Sequence, residues 1–278
     1  MAKPPPANAY GVRLTIAYDG TEFFGWQAQP HGRTVQTTVE AAITALGIGR
    51  TRLRGCSRTD SGVHARGQIA AFACDRELPR RGWIVGLNGL LPPDVAIRDA
   101  EPCDRRYDPR NDCIKKLYRY HVVVGQVRDP LTRRQAYHLS PRFARQDIPP
   151  RERLDEVEQY VDLDAMREVA SSWEGRHDFR AFRATTDRRD NTMRTMHGIR
   201  VLQRDERTLC IEVEGDAFMK NMVRIMAGTL LEVGRQKMGV DDAKALIGPD
   251  ATRNDGGPTA PAHGLCLERI WLGRKKAE

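Results

Sequence analysis

The sequence predicts an α+β fold made of two similar units, each a mixed or antiparallel sheet with helices packed on one face. Three observations carry this. Period-two stretches mark strands, apolar stripes at helical spacing mark helices, and the order of strands and helices in the first half returns in the second. The return is too weak in residue identity to be a sequence repeat. The expected units are residues 1–109 and 110–278 of the 278-residue chain.

The elements follow in order. "VRLTIAY", residues 12–18, alternates Leu14, Ile16 and Tyr18 with Arg13, Thr15 and Ala17, the pattern of a half-buried strand, and Asp19-Gly20 ends it in a turn. Thr34 is placed to cap a helix whose face is Val35, Val39, Ile43 and Leu46, stopped by Gly47. Residues 52–56 and 68–74 read as short strands around "GCSRTDSGVHARG", and "LPRRGWIVGLNGLLP" as a short helix running into a proline-rich turn. After "RRYDPRND" the second unit opens with a strand, "KLYRYHVVVG". A helix over 164–173 follows, then a hairpin of "MRTMHGIRVLQ" and "TLCIEVEGDAF", and then the longest helix, marked by Phe218, Met222, Val223, Ile225, Met226, Thr229, Leu230 and Val233. Residues 142–160, charged and interrupted by prolines, read as a solvated, partly helical insertion.

Composition narrows the function classes. A net charge of +8, from 45 basic and 37 acidic residues, favours a polyanionic partner, nucleic acid before an acidic membrane, although many proteins this basic bind neither. Cys56, Cys74, Cys103, Cys113, Cys210 and Cys266 form no CxxC pair, and the seven histidines lack the spacing of a ligand pair, so neither a metal site nor a disulfide framework is indicated. "MAKPPPANAY" has no apolar core of a leader, and no run of about 18 apolar residues occurs. The expectation is a cytoplasmic protein with no membrane span.

Asp60 stands as the single carboxylate in residues 55–72, among arginines. If residues 57–60 are extended, Arg58 and Asp60 share a face and pair, with Thr59 turned away and Asp60 kept ionised by its neighbour. Judged locally, the commoner role for such an Asp is to cap the Ser61-Gly62 turn with Arg58 as its surface partner. Two further stretches mix cations with rings: residues 105–120, with Tyr107, Tyr118 and Tyr120, and residues 176–190, with Phe179 and Phe182. That mixture suits RNA more than DNA, because unstacked bases lie on rings while phosphates meet cations, unless the rings fill a core.

The blocks "YDGTEFFGWQAQP", "TVQ", "RTDSGVHARGQ", "LNGLLP", "KLYRY", "GRHDFRAF", "MVRIMAGTLLEVG" and "APAHGLCL" resemble, in order, those of the TruA-type tRNA pseudouridine synthases, from about residue 12 to residue 272. The resemblance implies isomerisation of uridine to pseudouridine at positions 38–40 of the tRNA anticodon stem-loop. It implies homodimers with basic, RNA-binding clefts between domains, and no cofactor. Carried over block by block, Asp60 is the catalytic carboxylate, Arg58 engages Asp60 or the displaced RNA, Tyr118 stacks on the target base, Leu265 is the apolar side of its pocket, and Arg224 is a second arginine facing the carboxylate. Ser61 stands where alanine is frequent and Ser57 where glycine is usual, and the insertion is longer than the family pattern. The carboxylate would act on the anomeric carbon as nucleophile or charge stabiliser, or take the C2′ proton; sequence leaves both open. A non-catalytic tRNA-binding or RNA-folding protein would need the arginines but not Asp60, and a nucleoside or glycoside hydrolase would want a second acid.

Overall fold

The computed structural model describes residues 10–140 and 156–273. The chain divides into two compact units at Ile114/Lys115, with the residues from Leu267 onward belonging to the first unit. The expected division at 109/110, with the whole C-terminal part in the second unit, therefore differs at both ends. The last strand is the reason, because it pairs with a strand of the first unit.

In the first unit, β1 (Tyr10–Tyr18) lies antiparallel to both β3 (His64–Cys74) and β4 (Val95–Cys103). The order is β4-β1-β3-β10, where β10 spans Leu265–Leu272, and the short β2 (Arg54–Gly55) also pairs with β3. Leu14 and Ile16 are fully buried, as their alternation predicts. The helix α1 (Val35–Ile43) begins where expected: the Thr34 hydroxyl accepts the Thr37 N–H. Its last apolar residue, Leu46, falls in a π-type turn (Thr44–Ile48) where Gly47 takes φ +84°. The helix α2 (Arg80–Asn88) packs on β4 through Trp83 and Leu87, and a short α3 (Pro109–Asp112), capped by Asp108, precedes β5.

The second unit is the antiparallel sheet β5-β9-β8-β7, made of β5 (Cys113–Val124), β7 (Gly175–Asp178), β8 (Met193–Gln203) and β9 (Thr208–Gly215), with β6 (Tyr137–Leu139) parallel to β5. The short α4 (Val157–Tyr160) leads to α5 (Leu163–Ser172), which packs on β8, on α6 (Met222–Gly234) and on α7 (Val240–Lys244). Of the proposed insertion, residues 142–155 lie outside the described residues. Its described end is not fully solvated: Val157 and Tyr160 are completely buried, and Val161 just beyond it packs against Gly234 of α6. Among the described residues no helix is long and apolar enough to cross a membrane.

Candidate active site

The Asp60 turn is held from three directions. The Asp60 carbonyl accepts the Val63 N–H at 3.2 Å and Gly62 sits at φ +78°, a type II turn whose third position suits glycine. Upstream, the completely buried Gln68 of β3 clamps Ser57, accepting its N–H at 3.1 Å and donating to its carbonyl at 2.6 Å. Thr59 turns inward as its place in an extended run predicts: its hydroxyl bonds that of Tyr18 at 2.8 Å, and its carbonyl accepts the Trp26 N–H.

The loop after β1 closes the third side. Phe23 offers its carbonyl to the Gly62 N–H and, at 3.2 Å, to the Ser61 hydroxyl, so the serine at position 61 finds a partner without disturbing the turn. Gly25, at φ +88°, lies so near that a Cβ would stand 2.7 Å from the Thr59 carbonyl oxygen and 3.1 Å from the Asp60 carbonyl carbon. The buried Gln36 of α1 ties this loop in turn, accepting from the Gln27 amide at 2.7 Å and the Ala28 N–H at 2.9 Å. The blocks "YDGTEFFGWQAQP" and "TVQ" thus build the support of the Asp60 turn. Sequence reading gave Phe23, Gly25, Gln27 and Gln36 no role; the legible signal was glutamines and glycines clustered among aromatics.

Asp60 is half-buried and Arg58 exposed. Among the described residues no ion pair joins them, so the expected pairing of Arg58 with Asp60 is not made. An exposed guanidinium gains only about 0–1 kcal/mol from a surface ion pair and is free to stay in water.

In the second unit, Tyr118 lies on β5 opposite Val213, 5% exposed, with its ring edge-on to Phe218 at 5.1 Å between centroids. Tyr120, on the same strand face, donates its hydroxyl to the Pro261 carbonyl at 2.9 Å, and burial pushes that hydroxyl well above the usual phenol range. Arg224, in the first turn of α6, is anchored through Nε to the Ala260 carbonyl at 2.7 Å and through Nη1 to Asn221 at 3.0 Å. Gly228 of α6 presses on the Pro258 carbonyl and Gly264 on the Tyr120 ring, where in each case a Cβ would collide. The segment 258–264 is thereby fixed to both α6 and β5, and it delivers the buried Leu265 at the start of β10. The structure brings Arg224 to this segment, which leads into Leu265. Asn221 and the Ala260 carbonyl, which orient Arg224, were not legible from spacing.

The cation-and-ring stretches resolve differently from the RNA-stacking expectation. Phe179 and Phe182 are completely buried, Phe182 against Trp173 at 4.8 Å, so these rings fill the core. The nearby arginines are partly neutralised by a recurring local pair, in which an Asp binds the guanidinium two residues on: Asp108 with Arg110, Asp178 with Arg180, Asp187 with Arg189. The Arg189 guanidinium, with the N–H groups of Lys220 and Arg189, holds the Asp187 carboxyl far below the usual carboxylate range. Among the described residues no three His, Cys, Asp or Glu side chains are grouped as metal ligands would be.

Comparison with known proteins supplies the frame for these two sets of residues. The family model described as "tRNA pseudouridine synthase" matches residues 14–111 and 169–270. The chain is 41% identical to tRNA pseudouridine synthase A of Geobacter sp. (strain M21) over 94% of this chain and 98% of that protein. It is 40% identical to the protein of that name from Geobacter sulfurreducens, over 93% and 98%. The same name belongs to a Myxococcus xanthus protein that is 38% identical over 94% and 91%. With Asp60 in the first matched segment and Arg224 and Leu265 in the second, the chain belongs to the TruA-type tRNA pseudouridine synthases, isomerases that modify tRNA.

Proposed function

We infer that this enzyme forms pseudouridine at positions 38–40 of the tRNA anticodon stem-loop, with Asp60 as its catalytic carboxylate and Arg58, Tyr118, Arg224 and Leu265 binding the substrate. The observation that carries the reading is the fixed Asp60 turn, a half-buried carboxylate on backbone tied to β3, to the loop after β1 and to its own type II turn. Such preorganisation is what catalysis at one sugar carbon demands, since small displacements of a reacting group are costly.

The reaction needs no net redox change. The N1–C1′ bond breaks, uracil rotates, a C5–C1′ bond forms, the C5 proton leaves and N1 gains a proton. A carboxylate at C1′ serves it either by bonding to that carbon or by taking the C2′ proton. The uridine must first leave its stack, which costs a few kcal/mol, and contact with the Tyr118 ring and Leu265 offsets part of that. Activity on three neighbouring positions calls for recognition of RNA shape and backbone more than of bases. The reading includes a homodimer in the cytoplasm.

The test is mass spectrometry with chemical mapping of transcribed tRNA incubated with the pure protein. Pseudouridine at 38–40, absent with a folded, tRNA-binding Asp60→Asn protein, is the expected result. Pseudouridine elsewhere in the tRNA overturns the positions, and turnover of Asp60→Asn within tenfold of wild type overturns the role of Asp60.

A further inference from the structure

Phe24 is the one aromatic side chain of the exposed class among the described residues, with 59% of its surface in water, while its neighbours Phe23 and Trp26 are 1% exposed. Its backbone is not loose. The Phe24 N–H donates to the Arg33 carbonyl at 2.9 Å, and its carbonyl accepts from the Gln29 amide at 2.7 Å. The residues on either side are the two that grip the Asp60 turn, Phe23 through its carbonyl and Gly25 through its close approach to Thr59 and Asp60.

The ring itself is seated. Gly32, at φ +86°, lies beneath it so closely that a Cβ there would fall 2.4 Å from Cδ2 of Phe24. A ring resting on bare backbone, otherwise open to water, and fixed beside a catalytic turn has the form of a stacking platform. The exposed Arg58, on the same turn as Asp60, adds a cation for the phosphates that accompany a base. With more than half of its surface in water, the phenyl group gains little from burial in the folded chain, so folding gives it only a small role.

We propose that Phe24 is a substrate-binding residue on which a nucleobase adjoining the target uridine stacks once the RNA is bound. The inference rests on the reading of Asp60 as the catalytic carboxylate, since the platform is located by that turn.

The experiment compares Phe24→Ala, Phe24→Leu and Phe24→Trp for dissociation constant with a transcribed anticodon stem-loop, single-turnover rate, melting temperature and oligomeric state. Loss of the ring weakens RNA binding roughly tenfold to hundredfold in both Ala and Leu variants, with melting temperature and oligomeric state unchanged. Phe24→Trp keeps the affinity, and its added emission, after subtraction of the wild-type signal, is quenched by the RNA. Binding by Phe24→Leu equal to wild type, an unquenched Phe24→Trp, or a defect that follows a changed melting temperature or oligomeric state would each overturn the proposal. Absence of pseudouridine with the wild-type protein would instead remove the catalytic reading, and quenching, measured without turnover, separates the two failures.

Discussion

Tyr118 is a packed residue with a proposed second role at the substrate. It is 5% exposed and set edge-on to Phe218, so its ring belongs to the core as well as to the proposed base contact. Tyr118→Phe keeps that packing and should retain the melting temperature and tRNA affinity. Tyr118→Leu should cost about 1–3 kcal/mol of stability and slow single turnover about tenfold to hundredfold relative to Phe. A stable Tyr118→Leu protein with normal turnover would remove Tyr118 from the chemistry. Asp187 offers a pH-dependent counterpart. Its folded carboxyl is held below the ordinary value, so its stabilisation is present above about pH 4 and is lost as pH falls through the lower folded value. The melting-temperature gap between wild type and Asp187→Asn should therefore be full at pH 7 and shrink below about pH 4. A gap constant across that range would contradict the assignment.

Among elements, the loop between β1 and α1 sets the position of the Asp60 turn, and two glycines separate its two possible contributions. Gly25→Ala meets both an unfavourable φ of +88° and the Thr59 carbonyl at 2.7 Å, whereas Gly49→Ala meets only an unfavourable φ of +84°, with nothing within 4 Å. Gly49→Ala should lose about 1–3 kcal/mol of stability and Gly25→Ala at least as much, but only Gly25→Ala should lower turnover, by at least tenfold. Equal turnover in the two proteins would show that the loop does not position Asp60. Much of this architecture was legible. Thr34 capped α1, the alternation of residues 12–18 gave β1, and the hairpin of β8 and β9 followed from two successive strand-like runs. β10 was not, because Leu265-Cys266-Leu267 is a continuous apolar run without a period of two. β3 was expected to start at 68 but starts at His64, where the small Ala65 and Gly67 conceal the strand pattern and Gly67 lies against the Glu268 carbonyl of β10. Asp60 itself was identified by its motif, while its support was hidden because hydrogen bonds such as Gln68 to Ser57 leave no mark in periodicity.

At the level of the whole molecule, the charge of +8 acts through the arginines left available after the Asp pairs are formed. Affinity for tRNA should fall linearly on a log–log plot against salt, and a flat response would remove phosphate contacts as the main term. Arg188 is exposed and makes no ion pair among the described residues, whereas its neighbour Arg189 is tied to Asp187. Reversal of Arg188 to Glu should weaken tRNA binding about threefold to tenfold with the melting temperature unchanged, while reversal of Arg189 should first lower the melting temperature; binding and unfolding measured on both proteins decide this. The return of β10 to the first unit bears on how the protein is made. A ribosome that has produced residues up to Ile114 has not yet produced the strand that pairs with β3, and all of Lys115–Cys266 must emerge first. The unit synthesised first is therefore the last to be complete, and until then the part of the β3 edge that β2 does not cover is open to pairing with other nascent chains.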